Sequence, residues 1–191
     1  MLNIVLFGPP GAGKGTQSAK LIEHFNLTHI STGDLFRKHL SEGTDLGKLA
    51  RKYMDDGFLV PDEVVIGMVE DRISQDDVVN GIIFDGFPRT VAQAEALDKL
   101  LEKKGEHISG MISLEVPEEE LKKRLLERGK VSGRADDQNE EKINNRIAVY
   151  RKETLPVSEF YNSQDKFHTV NGVGSIDGIF ADLVKTIEKL Q

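Results

Sequence analysis

A mostly apolar run, Leu2-Asn3-Ile4-Val5-Leu6-Phe7, passes without a spacer into Gly8-Pro9-Pro10-Gly11-Ala12-Gly13-Lys14-Gly15-Thr16. A strand that delivers a glycine-rich turn at the start of a helix points backbone N–H groups at an anion, and the helix adds the positive end of its dipole. Lys14 supplies a mobile point charge for terminal phosphates. The general pattern G-x-x-x-x-G-K-[ST] is met with an offset, because Gly15 follows the lysine and the hydroxyl arrives one residue late at Thr16. A bare tight turn requires neither the lysine nor a helix start at this spacing. A dinucleotide fingerprint fails, since Gly11 and Gly13 would need a third glycine at position 16. A phosphate-cradling P-loop is the stronger reading.

The 191 residues suffice for one domain with a real core and small inserts. Hydrophobic residues make up 38%, yet no run approaches the roughly 18 apolar residues that span a membrane. The N-terminal apolar run lacks a basic flank and ends in the glycine loop, which argues against a signal peptide and leads to the expectation of a cytoplasmic protein. There are no cysteines, and the five histidines show no metal-ligand spacing, so zinc is not expected. A net charge of -7 opposes non-specific nucleic-acid binding. An anionic substrate would have to be attracted by local arginines, not by the overall field.

Apolar segments recur between longer amphipathic stretches: Ile4-Val5-Leu6-Phe7, Thr28-His29-Ile30, Ile82-Ile83-Phe84, Met111-Ile112-Ser113-Leu114 and Phe167-His168-Thr169-Val170. Their alternation with helical patterns predicts an α/β fold, a parallel sheet wrapped by helices. Helices are expected over 14–25, 62–74, 91–104, 117–128, 140–161 and 175–190. Pro117 suits a helix start, with Glu118, Glu119 and Glu120 complementing the dipole. Between Ser31 and Val60, Gly43, Gly47 and Gly57 break the pattern into short helical pieces, which reads as an insert. Gly129-Lys130-Val131-Ser132-Gly133 reads as a hinged surface loop.

Ile82-Ile83-Phe84-Asp85 is an apolar strand ending in a carboxylate, as in the second strand of a P-loop site, where the acid organises Mg²⁺ or its waters. Strands also end at aspartate for turn reasons alone. Arg89 follows at the strand's exit, placed for a bidentate phosphate contact. Arg124 and Arg128 stand four apart and share a helix face; Arg134 lies past the glycine-flanked stretch, and Arg146 on the next helix. A solvated basic face, or pairing with Asp136 and Asp137, would account for single members of this set. In an acidic chain, their gathering around two loops points to anions.

Taken in order, Gly8 to Thr16, Ser31-Thr32-Gly33-Asp34-Leu35-Phe36-Arg37, Asp85-Gly86-Phe87-Pro88-Arg89-Thr90 with Gln93, and Gly133-Arg134-Ala135-Asp136-Asp137 carry a resemblance over essentially the whole chain. The chain resembles the nucleoside monophosphate kinases, most closely the short-lid adenylate kinases, whose own form of the loop has the Lys-Gly-Thr order. The resemblance implies a P-loop kinase fold with a five-stranded parallel sheet. It also implies a single domain over 1–191: a core of 1–30, 61–128 and 138–191, a mobile monophosphate-binding segment at 31–60 and a short lid at 129–137.

By the same resemblance, Gly11, Ala12, Gly13, Lys14, Gly15 and Thr16 hold the ATP phosphates, with Arg128 and Gly174 also touching ATP. Thr32, Arg37, Phe58, Leu59, Val60, Gly86, Phe87, Pro88, Arg89, Gln93, Arg134 and Arg146 would hold AMP. Arg124 would lie over the adenine or the phosphates of ATP. Lys14, Arg89, Arg124, Arg128, Arg134 and Arg146 would compensate charge as a phosphoryl group passes from ATP to AMP to give two ADP, with Asp85 organising Mg²⁺ through water. Only five residues separate Arg128 from Arg134, too few for an extended or zinc-bearing lid. Asp136 and Asp137 would pair with arginines on closure.

A UMP or CMP kinase shares the phosphate machinery, but Thr32 and Gln93 offer hydrogen bonds suited to adenine. A GTPase would carry N-K-x-D and D-x-x-G signatures, whereas Asp85 is followed three residues later by Pro88. A non-catalytic P-loop protein is disfavoured because no charged position of the constellation is missing. The expected partners are ATP and AMP, with neither nucleic acid nor membrane, and the chain is expected to be a monomer.

Overall fold

The computed structural model describes all of residues 1–191. Its strands are β1 (Leu2–Phe7), β2 (Thr28–Ser31), β3 (Gly81–Asp85), β4 (Gly110–Glu115) and β5 (Phe167–Asn171). They form one parallel sheet in the order β2-β3-β1-β4-β5. The helices are α1 (Lys14–Phe25), α2 (Thr32–Ser41), α3 (Asp45–Met54), α4 (Asp62–Ile73), α5 (Val91–Glu102), α6 (Glu118–Ser132), α7 (Glu140–Val149), α8 (Pro156–Asn162) and α9 (Ile176–Glu188).

The central strand is apolar on both faces because helices cover both faces of a parallel sheet. Val5 and Phe7 join Phe84, Leu97 and Tyr161 in the core on one face. Ile4 and Leu6 point the other way, onto Leu21, Leu183 and Ile187 of the packed pair α1 and α9. The chain leaves β1 for β2 on one side and later crosses from β3 past β1 to β4 on the other, so a crevice opens beyond the carboxyl ends of these strands, where doubly wound sheets bind ligands. Leu6 is in register with Asp85 on one side and with Ile112 on the other. The glycine loop and the Asp85 carboxylate therefore leave the sheet at the same end.

Two sequence expectations are corrected. Residues 129–132 are not a loop: α6 runs through them to Ser132 and ends on Gly133 in the left-handed region, at φ 65°. Gly129 is buried where a Cβ would overlap the Asp137 carbonyl, so this glycine permits close packing within a helix. The helix expected over 140–161 passes instead through a π turn at Tyr150–Thr154 before α8. Pro156 has no N–H and crowds the carbonyl four residues back, and the Leu155 N–H donates to Tyr150 O five residues back, at 2.8 Å.

Candidate active site

Gly13 adopts φ 94°, ψ 13° immediately before α1, a conformation a side chain would strain, and no side chain caps that helix. Five other helices are capped from within, Ser31, Thr44, Thr90, Asn139 and Ser175 each accepting an N–H from the first turn that follows, while α4, α6 and α8 also start without a side-chain cap. The first N–H groups of α1 are left for an anion. Lys14 Nζ folds back over the loop, donating to Gly8 O at 2.8 Å and Pro9 O at 3.0 Å. Burial lowers the Lys14 ammonium to about 8; Asp85 opposes that shift, and Arg89, Arg146 and Arg128 reinforce it.

Around the loop lies a cleft of about 440 Å³ lined by no hydrophobic residue. Arg37, Arg89, Arg124, Arg128, Arg134 and Arg146 all reach it, together with Gly11, Gly13, Lys14, Gly15, Thr16, Asp85 and Gly86. Six guanidiniums from five separate parts of the chain share this one space. Burial and mutual repulsion lower several of them. Arg89 falls to about 10, chiefly by burial and then by Arg146; Arg134 is lowered by burial, Arg37 and Arg128. A site that disfavours its own positive charges gains most when an anion enters.

Carboxylates hold the arginines in place. Asp137, its side chain fully buried, accepts from Arg128 Nε at 2.6 Å and Nη2 at 3.1 Å, and from Arg146 Nη1 at 2.5 Å. Asp136 adds a 3.0 Å contact to Arg146. Arg124 donates to Glu120 at 2.8 Å and to Gly172 O at 3.2 Å, while Arg89 Nε donates to Gly86 O at 2.7 Å. Arg37 pairs with Asp34.

Asp85 closes the floor of the cleft. Ser18 Oγ donates to it at 3.4 Å, and His29 Nε2 stands 3.8 Å away. Burial pushes its carboxyl up, but the His29 imidazole and the Lys14 ammonium outweigh that, and the group lies below the usual carboxylate range. No set of three acidic or histidine side chains converges anywhere in the chain to hold a metal unaided. One carboxylate and the Thr16 hydroxyl beside an anion cradle fit a hard cation that arrives on phosphate oxygens and keeps most of its waters.

A second pocket adjoins the cleft through Gly33, Gly86 and Arg89 and is lined by Thr32, Phe36, Met54, Phe58, Leu59, Val60, Val65 and Gln93. It is mainly apolar with one amide, as a planar base requires. Phe87 and Pro88 turn instead into a separate chamber beside Phe7 and Tyr150. Ala12 is buried in the core against Leu21, so only its backbone can serve a ligand. Gly174, at φ 138° between β5 and α9, does not line the cleft.

Two of the expected base-reading groups are already engaged. Thr32 Oγ1 donates to Gly86 O at 2.7 Å, and the Gln93 amide bridges the Arg89 N–H and Asp62. Asp62 was not legible as a site residue, because an aspartate at a helix start reads as a dipole complement. Asp137 showed only as one of two candidate arginine partners; its burial is a product of α6 and α7 closing over it.

The adenylate kinase family model matches residues 6–166. An adenylate kinase of Phocaeicola vulgatus is 51% identical to this chain, one of Flavobacterium psychrophilum 53%, and one of Methanothrix thermoacetophila 43%, each match covering the whole of both chains.

Proposed function

The chain belongs to the adenylate kinase family, an enzyme of the nucleoside monophosphate kinase class, and from that premise we propose that it transfers a phosphoryl group directly and reversibly from Mg·ATP to AMP, giving two ADP. The observation that carries this reading is the convergence of Lys14 and six arginines on one cleft that opens at Gly33, Gly86 and Arg89 into a mainly apolar pocket. The loop Gly11 to Thr16 takes the donor phosphates, with Arg124 and Arg128 on that side. Thr32, Arg37, Phe58 to Val60, Gly86, Arg89 and Gln93 take the acceptor, with Arg134 and Arg146 over the phosphates between them.

The acceptor phosphate is its own nucleophile. With a second pKa near ~6 it is largely dianionic at pH 7 and needs no general base. The protein's contribution is alignment and charge compensation. Arginines that meet a transferring phosphoryl group contribute about 10³ to 10⁵ in rate, roughly 4 to 7 kcal/mol of barrier. Mg²⁺, held through Asp85, the Thr16 hydroxyl and the nucleotide, would neutralise phosphate charge. Segments 31–60 and 129–137 close over the nucleotides, and closure excludes the water that would otherwise hydrolyse ATP.

A coupled assay of ADP formation with AMP, CMP, UMP and GMP as acceptors tests the proposal. The expected result is a kcat/KM for AMP well above the others, with turnover abolished by EDTA. Preference for UMP or CMP would move the chain to the pyrimidine-directed branch, and absence of ADP with every acceptor would make it a nucleotide-binding protein without catalysis.

A further inference from the structure

Gln93 is almost fully buried at the wall of the mainly apolar pocket beside the cleft, and both ends of its amide are claimed. Its Oε1 accepts the backbone N–H of Arg89 at 2.8 Å, and its Nε2 donates to Asp62 Oδ1 at 2.9 Å. The two partners have opposite and fixed polarity: a backbone N–H can only donate, and a carboxylate can only accept. Turning the amide over would set Nε2 against a donor and Oε1 against a carboxylate oxygen. Thr90 Oγ1 donates to the same Asp62 oxygen at 3.0 Å and itself accepts the Gln93 N–H at 3.2 Å, which ties Asp62 to the first turn of α5. Asp62 does not line the pocket; it stands behind Gln93, at the first residue of α4 where the 31–60 segment rejoins the core.

An amide so held keeps one lone pair on Oε1 and one hydrogen on Nε2 in reserve. That pair, in that order, matches a base edge presenting an exocyclic amino donor beside a ring-nitrogen acceptor. A 6-oxo purine presents the reverse, a carbonyl acceptor beside a ring N–H, and matches only the overturned amide. We propose that Asp62 is a positioning residue for acceptor specificity: by holding the Gln93 amide in one sense, it makes the pocket read a 6-amino purine and reject a 6-oxo purine. This rests on the reading of that pocket as the acceptor-base site.

The test compares AMP with IMP, which has the same size and differs only in that edge, at saturating ATP in the wild type, Asp62→Asn, Gln93→Ala and the double variant. Asparagine keeps the volume of Asp62 but can turn either an oxygen or an NH₂ toward Gln93, so one of the two partners that oppose inversion is lost and only the Arg89 N–H remains. The expected result is a fall of about tenfold in the AMP to IMP ratio of kcat/KM, carried by the acceptor KM values, with the KM for ATP unmoved. In the Gln93→Ala background the same change at Asp62 should leave the ratio where Gln93→Ala alone put it. A folded Asp62→Asn protein with the wild-type ratio overturns the proposal, as does an equal effect in the Gln93→Ala background. A wild type that accepts neither nucleotide overturns the acceptor-site reading on which the proposal rests. Should Asp62→Asn not fold, wild-type NMR decides: slow solvent exchange of the Gln93 Nε2 proton that meets Asp62 supports the lock, and rapid exchange of that proton overturns it.

Discussion

Asp137 receives the Arg128 guanidinium in a two-point pair, at 2.6 and 3.1 Å, with its own side chain entirely out of contact with solvent. The same carboxylate takes Arg146 at 2.5 Å, so a single buried charge fixes two arginines that reach the cleft. Removing one member of a buried pair leaves the other unpaired, at a cost of about 3 to 5 kcal/mol. Arg128 is 35% exposed and can recover some hydration, which favours the lower end. Asp137→Ala should therefore lower Tm by about 6 to 12 °C and reduce turnover by loosening both arginines. Asp136→Ala, which removes one contact to Arg146, should cost only about 1 kcal/mol. Thermal melts of the two variants check the order; equal losses would contradict it.

Gly129 is expected to resist replacement although it sits inside a helix. Alanine there would gain about 1 kcal/mol of helix propensity, but the added methyl would overlap the Asp137 carbonyl. Overpacking of this kind costs about 1 to 3 kcal/mol, and any relief shifts Asp137 away from Arg128. Gly129→Ala should lower both Tm and kcat. A stabilised variant would show that the 3₁₀ turn at Ala135–Asp137 yields easily.

Lys14→Met should remove most turnover, by at least about 10² to 10³, without loss of stability. The folded protein holds this ammonium at a disadvantage, since burial lowers it from 10.5 to about 8. Replacing it by an uncharged chain of similar length relieves that disadvantage at pH 7. Turnover from a coupled assay and Tm on the same samples separate the two effects; a variant near wild-type kcat would sink the role given to Lys14.

The same lysine sets an alkaline limit. Below about pH 8 it is charged and can meet phosphate; above, the free enzyme loses the proton, and kcat/KM for ATP should fall with an apparent pKa near 8. Bound phosphates favour the ammonium, so the corresponding limb in kcat should lie at higher pH. For stability the sign is reversed. Between pH 8 and 10.5 the unfolded chain keeps a proton that the folded chain has shed, so this group's contribution makes folding more favourable as pH rises through that window. A kcat/KM profile flat to pH 9 would contradict the assignment.

The sheet and the phosphate loop were legible because local signals agree there. Ile4-Val5-Leu6-Phe7 is a short apolar run closed by a glycine turn, which suits a strand covered on both faces, and Gly13 before Lys14 marks a turn that few other residues can make. The charged positions of the cleft were legible for a related reason, since an acidic chain spends arginines sparingly. Misreadings arose where glycine and proline had tertiary reasons. Gly129 looked like a hinge and serves close packing against Asp137, and Pro156 turned a predicted straight helix into one with a π turn.

The sequence by itself determined the order of strands and helices, the anion cradle and the identity of the groups that carry charge, because each follows from periodicity, turn chemistry or side-chain type. Only the tertiary structure decided which carboxylate holds which arginine and which way the Gln93 amide faces. Asp137 meets Arg128 and Arg146 because α6 and α7 close over it, and Asp62 meets Gln93 across 31 positions because α4 and α5 pack together. Hydrogen bonds between residues so distant in sequence depend on the directions of side chains in space, which no local pattern encodes.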